Sequence, residues 1–533
     1  MPQVATMTPE QLEALWRTGQ QQQAQGLLDE ARATYTRILA GSPRQVMVQI
    51  ALSELEQRAG RYCASHLHAL QAADTMAQAK RWEGLSHVTA NLLVFDEREQ
   101  VLQLIRQPGW DDVRVLRQSP VLSQQLWLCG DQEGALRFLD IARKRIKDDH
   151  RLAYSRAMAL QHLGRIQQAT SAFEDSIRIA PDFALAHWSL AYHARSVPAE
   201  ARLARLRVAA RRVQSAQERA MLHYALYKEL DAAGDYDAAW AELAEGASLM
   251  RGMLGYSASN FADDVDAMLD AEGRAPGRTV QAVDGARTPV FVVGMPRTGT
   301  TLLTRILGAH PSVADAGELN ALEHAIAENV DRFVQMPVAR DALPLLHAAD
   351  PAGIAQAYAR RTQAHYTATT THLIDKNPMN LFAAGTIARA MPNARIICLV
   401  RGPMDACYSN FRQLFQNGAF AYSYDLGQLA ERYAVFRRVV ERFQEQLPAN
   451  FLAVSYEDLV RDPLETGRRA MEFCGLDFDP AYADTASNTA PSATASATQI
   501  REPIHTHGIG EWRRYEERLH PLATRLAELG ITP

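Results

Sequence analysis

The chain has 533 residues, more than the roughly 250–300 at which a single hydrophobic core stops growing, so two or three domains are expected. Hydrophobic residues make up 47% and charged residues 22%, which excludes a disordered or collagen-like chain, and the net charge of −5 argues against a general nucleic-acid binder. The five scattered cysteines form no C-x-x-C pair, which disfavours a disulfide framework or structural zinc site and favours a reducing compartment.

The first segment of the chain, MPQVATMTPEQLEALW, has no basic stretch followed by an apolar one, so no signal peptide is predicted. No stretch approaches the ~18 uninterrupted apolar residues of a membrane span. We therefore expect a cytoplasmic protein with neither a membrane nor a nucleic acid as partner.

The first half of the chain carries a repeat of 34 to 35 residues. Two units, near Phe95 and Ala199, lack the glycine that marks the others at Gly26, Gly60, Gly130, Gly164 and Gly234. An alanine follows five places after the glycine and a larger apolar residue nine places after it, in the pairs Ala31 and Tyr35, Ala135 and Leu139, Ala169 and Phe173, and Ala239 and Leu243. Proline follows seventeen places after the glycine at Pro43 and Pro181. A glycine turn, a small residue where two helices approach and a terminating proline predict a helix–turn–helix hairpin.

Such hairpins bury their apolar faces by stacking into a solenoid. The pattern over about residues 10–250 resembles the tetratricopeptide repeat, and the alternative is an irregular all-α domain with coincidental glycines. The resemblance implies a concave surface that receives a protein or peptide.

Residues 271–288 mix glycine, proline, alanine and charge without helical or strand periodicity. We place a linker there, between an all-α domain (1–270) and a second domain (289–533). Four apolar runs of the second domain are predicted strands: Pro289–Gly294, Thr371–Asp375, Ala394–Val400 and Phe451–Tyr456. Because amphipathic helical runs alternate with them, we expect a parallel sheet with helices on both faces.

The run GMPRTGTT, from Gly294 to Thr301, lies between the first strand and an apolar helix. Backbone N–H groups of such a loop, together with the positive end of the helix, form an anion cradle. The spacing is that of a Walker A loop, except that Thr300 stands where nucleotide triphosphatases have lysine. Without that lysine, a 5′-phosphate carrying something other than a polyphosphate is the better ligand, and Arg297 supplies a planar cation. The plainer alternative is a structural turn.

The loop PRTGTT after a hydrophobic strand is similar to the 5′-phosphosulfate loop of sulfotransferases that use 3′-phosphoadenylyl sulfate (PAPS). Arg401 at a strand end and Ser409 eight residues later match the 3′-phosphate site of that family, where a guanidinium and a hydroxyl converge on one phosphate. The resemblance implies a P-loop-like α/β sulfotransferase domain, PAPS as co-substrate and no metal. It also implies nucleotide contacts from Arg297, Thr298, Gly299, Thr300 and Thr301.

Further residues resemble the tyrosylprotein sulfotransferases and their bacterial tetratricopeptide-linked relatives. Glu318, which follows Gly317, matches the catalytic base that accepts the proton of the acceptor hydroxyl. The alternative is that Glu318 caps a helix over Leu319–Ala327. Lys376 matches the lysine that touches the bridging oxygen and the moving sulfuryl group, and the alternative is an exposed lysine at a strand end.

The C-terminal segment SATQIREP resembles the closing loop of the same branch, in which Ser496 donates to the sulfuryl oxygens. The lysine of that loop is missing where Glu502 stands, and Arg501 is the predicted replacement in the nucleotide site. Tyr456 matches a tyrosine beside the nucleotide and Trp512 a tryptophan that closes the pocket, each with ordinary packing as the alternative.

We therefore predict sulfuryl transfer from PAPS to a hydroxyl, with a protein or peptide tyrosine as the favoured acceptor and the helical repeats as its docking surface. A carbohydrate or small alcohol is the alternative acceptor, and a homodimer is left open. A P-loop kinase or nucleotide hydrolase is disfavoured by Thr300. An inactive scaffold is disfavoured by the intact set of Arg297, Glu318, Lys376, Arg401 and Ser409.

Overall fold

The structure, a computed structural model, describes residues 7–193, 199–255, 261–274, 287–415, 418–485 and 504–533. Its α-helices are α1 (Pro9–Ala24), α2 (Leu28–Gly41), α3 (Val46–Arg58), α4 (Tyr62–Ala79), α5 (Leu85–Leu93), α6 (Arg98–Arg106), α7 (Val113–Leu116), α8 (Ser119–Leu128), α9 (Gln132–Arg145), α10 (His150–His162), α11 (Ile166–Ile179), α12 (Ala184–Ala191), α13 (Ala199–Arg212), α14 (Ala216–Ala233), α15 (Tyr236–Leu254), α16 (Phe261–Arg274), α17 (Thr300–Leu307), α18 (Ala321–Val330), α19 (Leu343–Ala348), α20 (Pro351–Thr362), α21 (Ala384–Ala390), α22 (Pro403–Phe411), α23 (Leu426–Gln446), α24 (Tyr456–Arg461), α25 (Pro463–Cys474) and α26 (His520–Glu528). Short 3₁₀ segments cover Arg340–Ala342, Gln363–His365, Pro378–Ala383, Gly418–Tyr424, Pro480–Ala483 and Glu511–Tyr515. The strands are β1 (Thr288–Gly294), β2 (Val313–Asp315), β3 (His372–Asp375), β4 (Arg395–Val400) and β5 (Phe451–Ser455).

The chain forms two compact units. The first consists of Met1–Leu163 and Glu323–Val334, and the second of Gly164–Leu322 and Gln335–Pro533. This division does not follow the expected domain limits at residues 270 and 289. Those limits stay predictions, because residues 275–286 of the expected linker lie outside the described residues.

The glycines expected to turn the helical hairpins all have a left-handed backbone. The φ values are 77°, 76°, 86°, 73° and 82° at Gly26, Gly60, Gly130, Gly164 and Gly234. In the unit near Phe95, Asp96 takes the same place between α5 and α6 with a φ of 58°, a conformation that aspartate tolerates better than most residues. The predicted helical hairpins are therefore confirmed.

The small and large positions of the repeat pack as the pattern predicts. All are 0% exposed: Ala31, Tyr35, Ala135, Leu139, Ala169, Phe173, Ala239 and Leu243. In the first hairpin, Gly19 of α1 lies so close to Tyr35 of α2 that an added Cβ would collide with the ring. Pro43 and Pro181 follow the ends of α2 and α11, as expected of helix terminators.

The second unit contains a five-stranded parallel sheet in the order β2-β3-β1-β4-β5. The four predicted strands are confirmed as β1, β3, β4 and β5, and the predicted fold class with them. We did not predict β2, because three residues are too few to show periodicity. The strand order reverses at β1, and in open α/β sheets ligands bind at the carboxyl ends of the strands beside such a reversal.

Strand β1 is covered on both faces, as a central parallel strand requires. On one face, Val290 and Val292 share a buried cluster with Leu303 and Ile306 of α17. On the other face, the ring of Phe291 lies 5.5 Å from that of Tyr358 of α20. This packing fixes the strand whose carboxyl end carries the glycine-bracketed loop.

Candidate active site

The loop between β1 and α17 has the backbone of an anion cradle. Gly294, Arg297 and Gly299 have φ values of 148°, 67° and 98°. A Cβ at Gly294 would lie 2.7 Å from the carbonyl oxygen of Leu399 on the neighbouring strand. Gly299 is the N-cap of α17, so the first N–H groups of that helix remain available to an anion.

The side chains of the predicted loop residues differ in what they can do. The hydroxyl of Thr298 is buried and donates to the carbonyl of Met295 at 2.7 Å, so it stabilises the turn. Thr300 is buried and Thr301 half-buried, both in the first turn of α17. Because the hydroxyl of Thr298 is already bonded, a nucleotide contact at this residue would use its backbone N–H. The contacts predicted for Thr300 and Thr301 would come from the N-terminal turn of α17.

Arg401 brings the second predicted phosphate site to this loop. Its Nη1 donates to the carbonyl of Arg297 at 3.0 Å, and its Nη2 donates to the carbonyl of Gly508. Its guanidinium carbon lies 4.5 Å from the ring centre of Tyr456. Among the described residues, the buried Nε of Arg401 has no hydrogen-bond partner, and a buried donor without a partner is costly. A phosphate oxygen would satisfy it.

Ser409 lies on α22, which begins two residues after Arg401, and its side chain is buried. The next residue, Asn410, donates through Nδ2 to the carbonyl of Pro296 at 2.8 Å, so α22 is tied to the loop after β1. We did not predict this role of Asn410 from the sequence, although its position next to Ser409 could have indicated it. The structure thus brings together the two elements that were predicted to bind opposite ends of one nucleotide.

Tyr456 begins α24 and contacts both predicted phosphate-binding elements, at Gly299 and at Arg401. A Cβ added at Gly299 would stand 2.5 Å from its ring, and the guanidinium of Arg401 lies over the same ring. Burial raises the pKa of Tyr456, so its hydroxyl stays protonated. The predicted position of Tyr456 beside the nucleotide elements is consistent with these contacts.

Positive charge is concentrated at this loop. Burial, followed by the charges of Arg412 and Arg401, lowers the pKa of Arg297 to about 10. Arg412 also pairs with Glu511 at 2.6 Å. We did not predict either partner of that pair, although Arg412 directly follows the helix that carries Ser409. Three neighbouring guanidinium groups suit a multiply charged anion, which would relieve their repulsion.

The predicted base and the predicted lysine form an ion pair. Lys376 Nζ donates to Glu318 Oε1, with the lysine side chain 4% exposed and the glutamate side chain 60% exposed. Lys376 directly follows β3, and its backbone N–H donates to the carbonyl of Gly317 at 2.9 Å. Asn377 holds the same turn by donating to the carbonyl of Leu319 at 2.9 Å. The helix that follows Glu318 begins at Ala321, so the expected helix start at Leu319 was two residues early.

The predicted closing loop lies partly outside the described residues. Ser496, Arg501 and Glu502 lie outside the described residues, so their predicted roles stay predictions. Trp512 is half-buried beneath the guanidinium of Arg513, 5.3 Å away. Asp405 accepts from the backbone N–H of Gly510 at 2.8 Å, which fixes the segment before Trp512.

Both the positive charge and the geometry of the site fit PAPS. The cradle of N–H groups suits the 5′-phosphosulfate, and the partnerless Nε of Arg401 suits the 3′-phosphate. In the ranges that the structure describes, no three His, Cys, Asp or Glu side chains are grouped as a metal site would need. No described helix is both long and apolar enough to cross a membrane.

Comparison with known proteins bears on the second unit. Residues 289–480 match the model of the Sulfotransferase family. An uncharacterized protein of Aquifex aeolicus is 28% identical over 58% of this chain and 42% of its own length. The protein-tyrosine sulfotransferase 2 of Gallus gallus is 23% identical over 46% of this chain and 69% of its own length. The chain therefore spans less than half of the first relative and about two thirds of the second.

Two solved structures are each similar to part of the chain. The sulfotransferase domain of the Synechococcus PCC 7002 olefin synthase is 21% identical over 46% of this chain and 98% of its own, with a TM-score of 0.31. A TPR repeat-containing protein from Cytophaga hutchinsonii is 11% identical over 44% of this chain and 86% of its own, with a TM-score of 0.28. The predicted resemblance to sulfotransferases is confirmed by the family match over residues 289–480, which follow the helical hairpins.

Proposed function

We propose that the protein transfers a sulfuryl group from PAPS to a hydroxyl acceptor, with a tyrosine of a protein or peptide as the acceptor. The acceptor oxygen forms a bond to sulfur while the bond from sulfur to the bridging phosphate oxygen breaks. The acceptor's proton passes to the carboxylate of Glu318, and 3′-phosphoadenosine 5′-phosphate (PAP) leaves.

One contact carries this proposal. The guanidinium of Arg401 donates to the carbonyl of Arg297 at 3.0 Å, so the 3′-phosphate element and the 5′-phosphosulfate loop are neighbours. A nucleotide with phosphates on both its 3′ and 5′ positions needs that neighbourhood, whereas a nucleoside triphosphate does not. The threonine at position 300 also removes the lysine that a triphosphate needs.

The ion pair of Glu318 and Lys376 supports the catalytic assignment. A buried lysine held by the turn after β2 is a fixed donor toward the bridging and sulfuryl oxygens, where charge develops. When the donor sulfuryl group takes the lysine's hydrogen bond, the exposed carboxylate is released to accept a proton. Each positioned donor to developing charge contributes roughly 10²–10³ in rate.

The acceptor assignment rests on relatives. The chicken protein, and the Danio rerio protein that is 23% identical over 46% of this chain, are named protein-tyrosine sulfotransferases. A peptide acceptor also agrees with tetratricopeptide-like hairpins, which offer concave surfaces to peptides. A carbohydrate or small alcohol is the competing acceptor.

Transfer of label from radiolabelled PAPS tests the proposal. The full chain is incubated with labelled PAPS and a host lysate, with Glu318→Ala as the matched control. We expect label in proteins, recovered as sulfated tyrosine after hydrolysis. Label only in carbohydrate or small alcohols would reject the tyrosine acceptor, and equal labelling by both chains would reject Glu318 as the base. Absence of label from any acceptor, with PAP bound, would reject the transferase activity.

A further inference from the structure

The C-terminal end of α22 receives hydrogen bonds from tyrosines of the helical hairpins. Tyr224 of α14 donates to the carbonyl of Phe411 at 3.0 Å. Tyr192, the residue after α12, donates to the carbonyl of Arg412 at 3.3 Å. The last carbonyls of a helix have no partner within the helix, so donors from elsewhere in the fold hold its end in place.

A third tyrosine reaches the middle of the same helix. The hydroxyl of Tyr227 lies 2.9 Å from that of Tyr408, and both side chains are buried. Tyr408 is the residue before Ser409, the predicted hydroxyl donor to the 3′-phosphate. Trp240 of α15 adds a stacked contact with Phe411, with ring centres 5.6 Å apart.

These hydroxyls remain protonated. Burial raises the pKa of Tyr192, Tyr224 and Tyr227, because a phenolate is poorly solvated in an apolar interior. Tyr192 and Tyr224 therefore act as neutral donors, and the bonds of all three tyrosines to α22 do not depend on pH in the working range.

The same hairpin holds the segment that lies over Arg401. Tyr515 donates to Asp231 of α14 at 2.7 Å, and its ring lies 5.6 Å from that of Trp240. Seven residues before Tyr515, the carbonyl of Gly508 accepts from Arg401. The hairpin α14–α15 thus contacts both the helix that carries Ser409 and the segment that contacts Arg401.

We infer that Tyr192, Tyr224 and Tyr227 are positioning residues for the 3′-phosphate site, acting through α22. The inference rests on the proposed function, since it assumes that Arg401 and Ser409 bind that phosphate. It makes the last helical hairpins part of the donor site rather than a separable docking module. Tyr192 also lies close enough to Arg297 of the loop after β1 for the two groups to shift each other's pKa. The test therefore leaves Tyr192 in place and removes the hydroxyls of Tyr224 and Tyr227, which contact α22.

The test compares two ligands that differ only in the 3′-phosphate, PAP and adenosine 5′-monophosphate (AMP). Calorimetry measures both affinities for the full chain and for a Tyr224→Phe/Tyr227→Phe variant, which removes two hydroxyls and keeps the rings. The control is Tyr35→Phe, which removes a hydroxyl bonded to Gln23 at 3.0 Å within the first hairpin. The loss of buried hydrogen bonds to α22 should weaken PAP binding about tenfold, with AMP binding changed less than about twofold.

The ratio of PAP affinity to AMP affinity decides whether the tyrosines position the 3′-phosphate site. A fall in the preference for PAP over AMP in the double variant, but not in Tyr35→Phe, supports the inference. An unchanged ratio would overturn it, and so would an equal loss of both ligands, which is what general destabilisation produces. Failure of the unmodified chain to prefer PAP would instead reject the proposed function, so the two failures are distinct.

Discussion

The loop after β1 and the turn after β2 lie at the same edge of the sheet, yet the rest of the chain holds them very differently. The loop receives side-chain hydrogen bonds from Arg401 and Asn410 and packs against Tyr456. The turn carries Glu318 with its side chain 60% exposed. In the proposed function, the donor end is thus held in place before the nucleotide binds, whereas the catalytic end stays open to an acceptor that arrives separately.

The largest expected effect falls at the open end. Glu318→Ala should lower turnover by about 10²–10⁴, because it removes the carboxylate that is proposed to accept the acceptor's proton. PAP affinity should stay within about twofold, since the lost carboxylate is mostly exposed. Steady-state kinetics and calorimetry measure the two. Glu318→Gln, which keeps an acceptor for Lys376, should lose turnover equally, and normal turnover in either variant would remove Glu318 from the mechanism.

The next effect falls at the enclosed end. Arg401→Lys keeps a charge but loses the planar fork and the Nε donor, so PAP affinity should fall about 10–100-fold. AMP affinity should change little, which would confine the effect to the 3′-phosphate. Arg17→Lys on α1 is a surface control with an exposed pair to Glu13. If Arg401→Lys bound PAP as tightly as the unmodified chain, the predicted 3′-phosphate site would be wrong.

The third effect tests the rigidity of the loop itself. Gly299→Ala must place a Cβ 2.5 Å from the Tyr456 ring at a φ of 98°, so it should cost about 1–3 kcal/mol in the free energy of unfolding and weaken PAP binding. The matched control is Gly252→Ala in α15, where no atom lies within 4 Å of the added Cβ. There we expect a gain of about 0.5–1 kcal/mol from helix propensity. If urea unfolding gave the same change in the free energy of unfolding for both variants, the loop would tolerate a Cβ as well as an exposed helix does.

The smallest effect concerns the helix that follows the open turn. Burial raises the pKa of Glu323, in the first turn of α18, to about 7 from an ordinary 4.5. The folded state then binds more protons than the unfolded state between those values, so stability falls as pH rises through that window and the penalty is complete above about 7.

Glu323→Gln removes that penalty. The variant should unfold with about 1–3 kcal/mol more free energy than the unmodified chain at a pH of about 8, and with little difference at about pH 4. Exposed Glu30 on α2 supplies the control, and Glu30→Gln should change the free energy by less than about 0.5 kcal/mol. If Glu323→Gln raised the free energy of unfolding equally at both pH values, the raised pKa of Glu323 would not be the cause.

Local patterns made much of the fold predictable. The turn glycines, the alanine positions and the four longer strands each leave a signal within a few residues, and all are confirmed. The loop after β1 was equally visible, because glycines at fixed spacing specify its backbone. The three-residue strand β2 left no such signal.

The contacts that hold the site together could not be read from the sequence. Asn410 reaches Pro296 across 114 residues, and Tyr224 reaches Phe411 across 187. Such bonds depend on how α22 meets the hairpins, which no local pattern encodes. The second compact unit, which begins at Gly164, contains both the later hairpins and the sheet, and the domain limit at 271–288 stays a prediction.

Calorimetry with PAP and with ATP tests the central claim that one nucleotide spans the loop after β1 and Arg401. We expect PAP to bind with submicromolar affinity and ATP to give no measurable heat, because the loop lacks the lysine that a triphosphate needs and Arg401 requires a 3′-phosphate. Tight binding of ATP with no binding of PAP would contradict that claim and favour a P-loop kinase or nucleotide hydrolase.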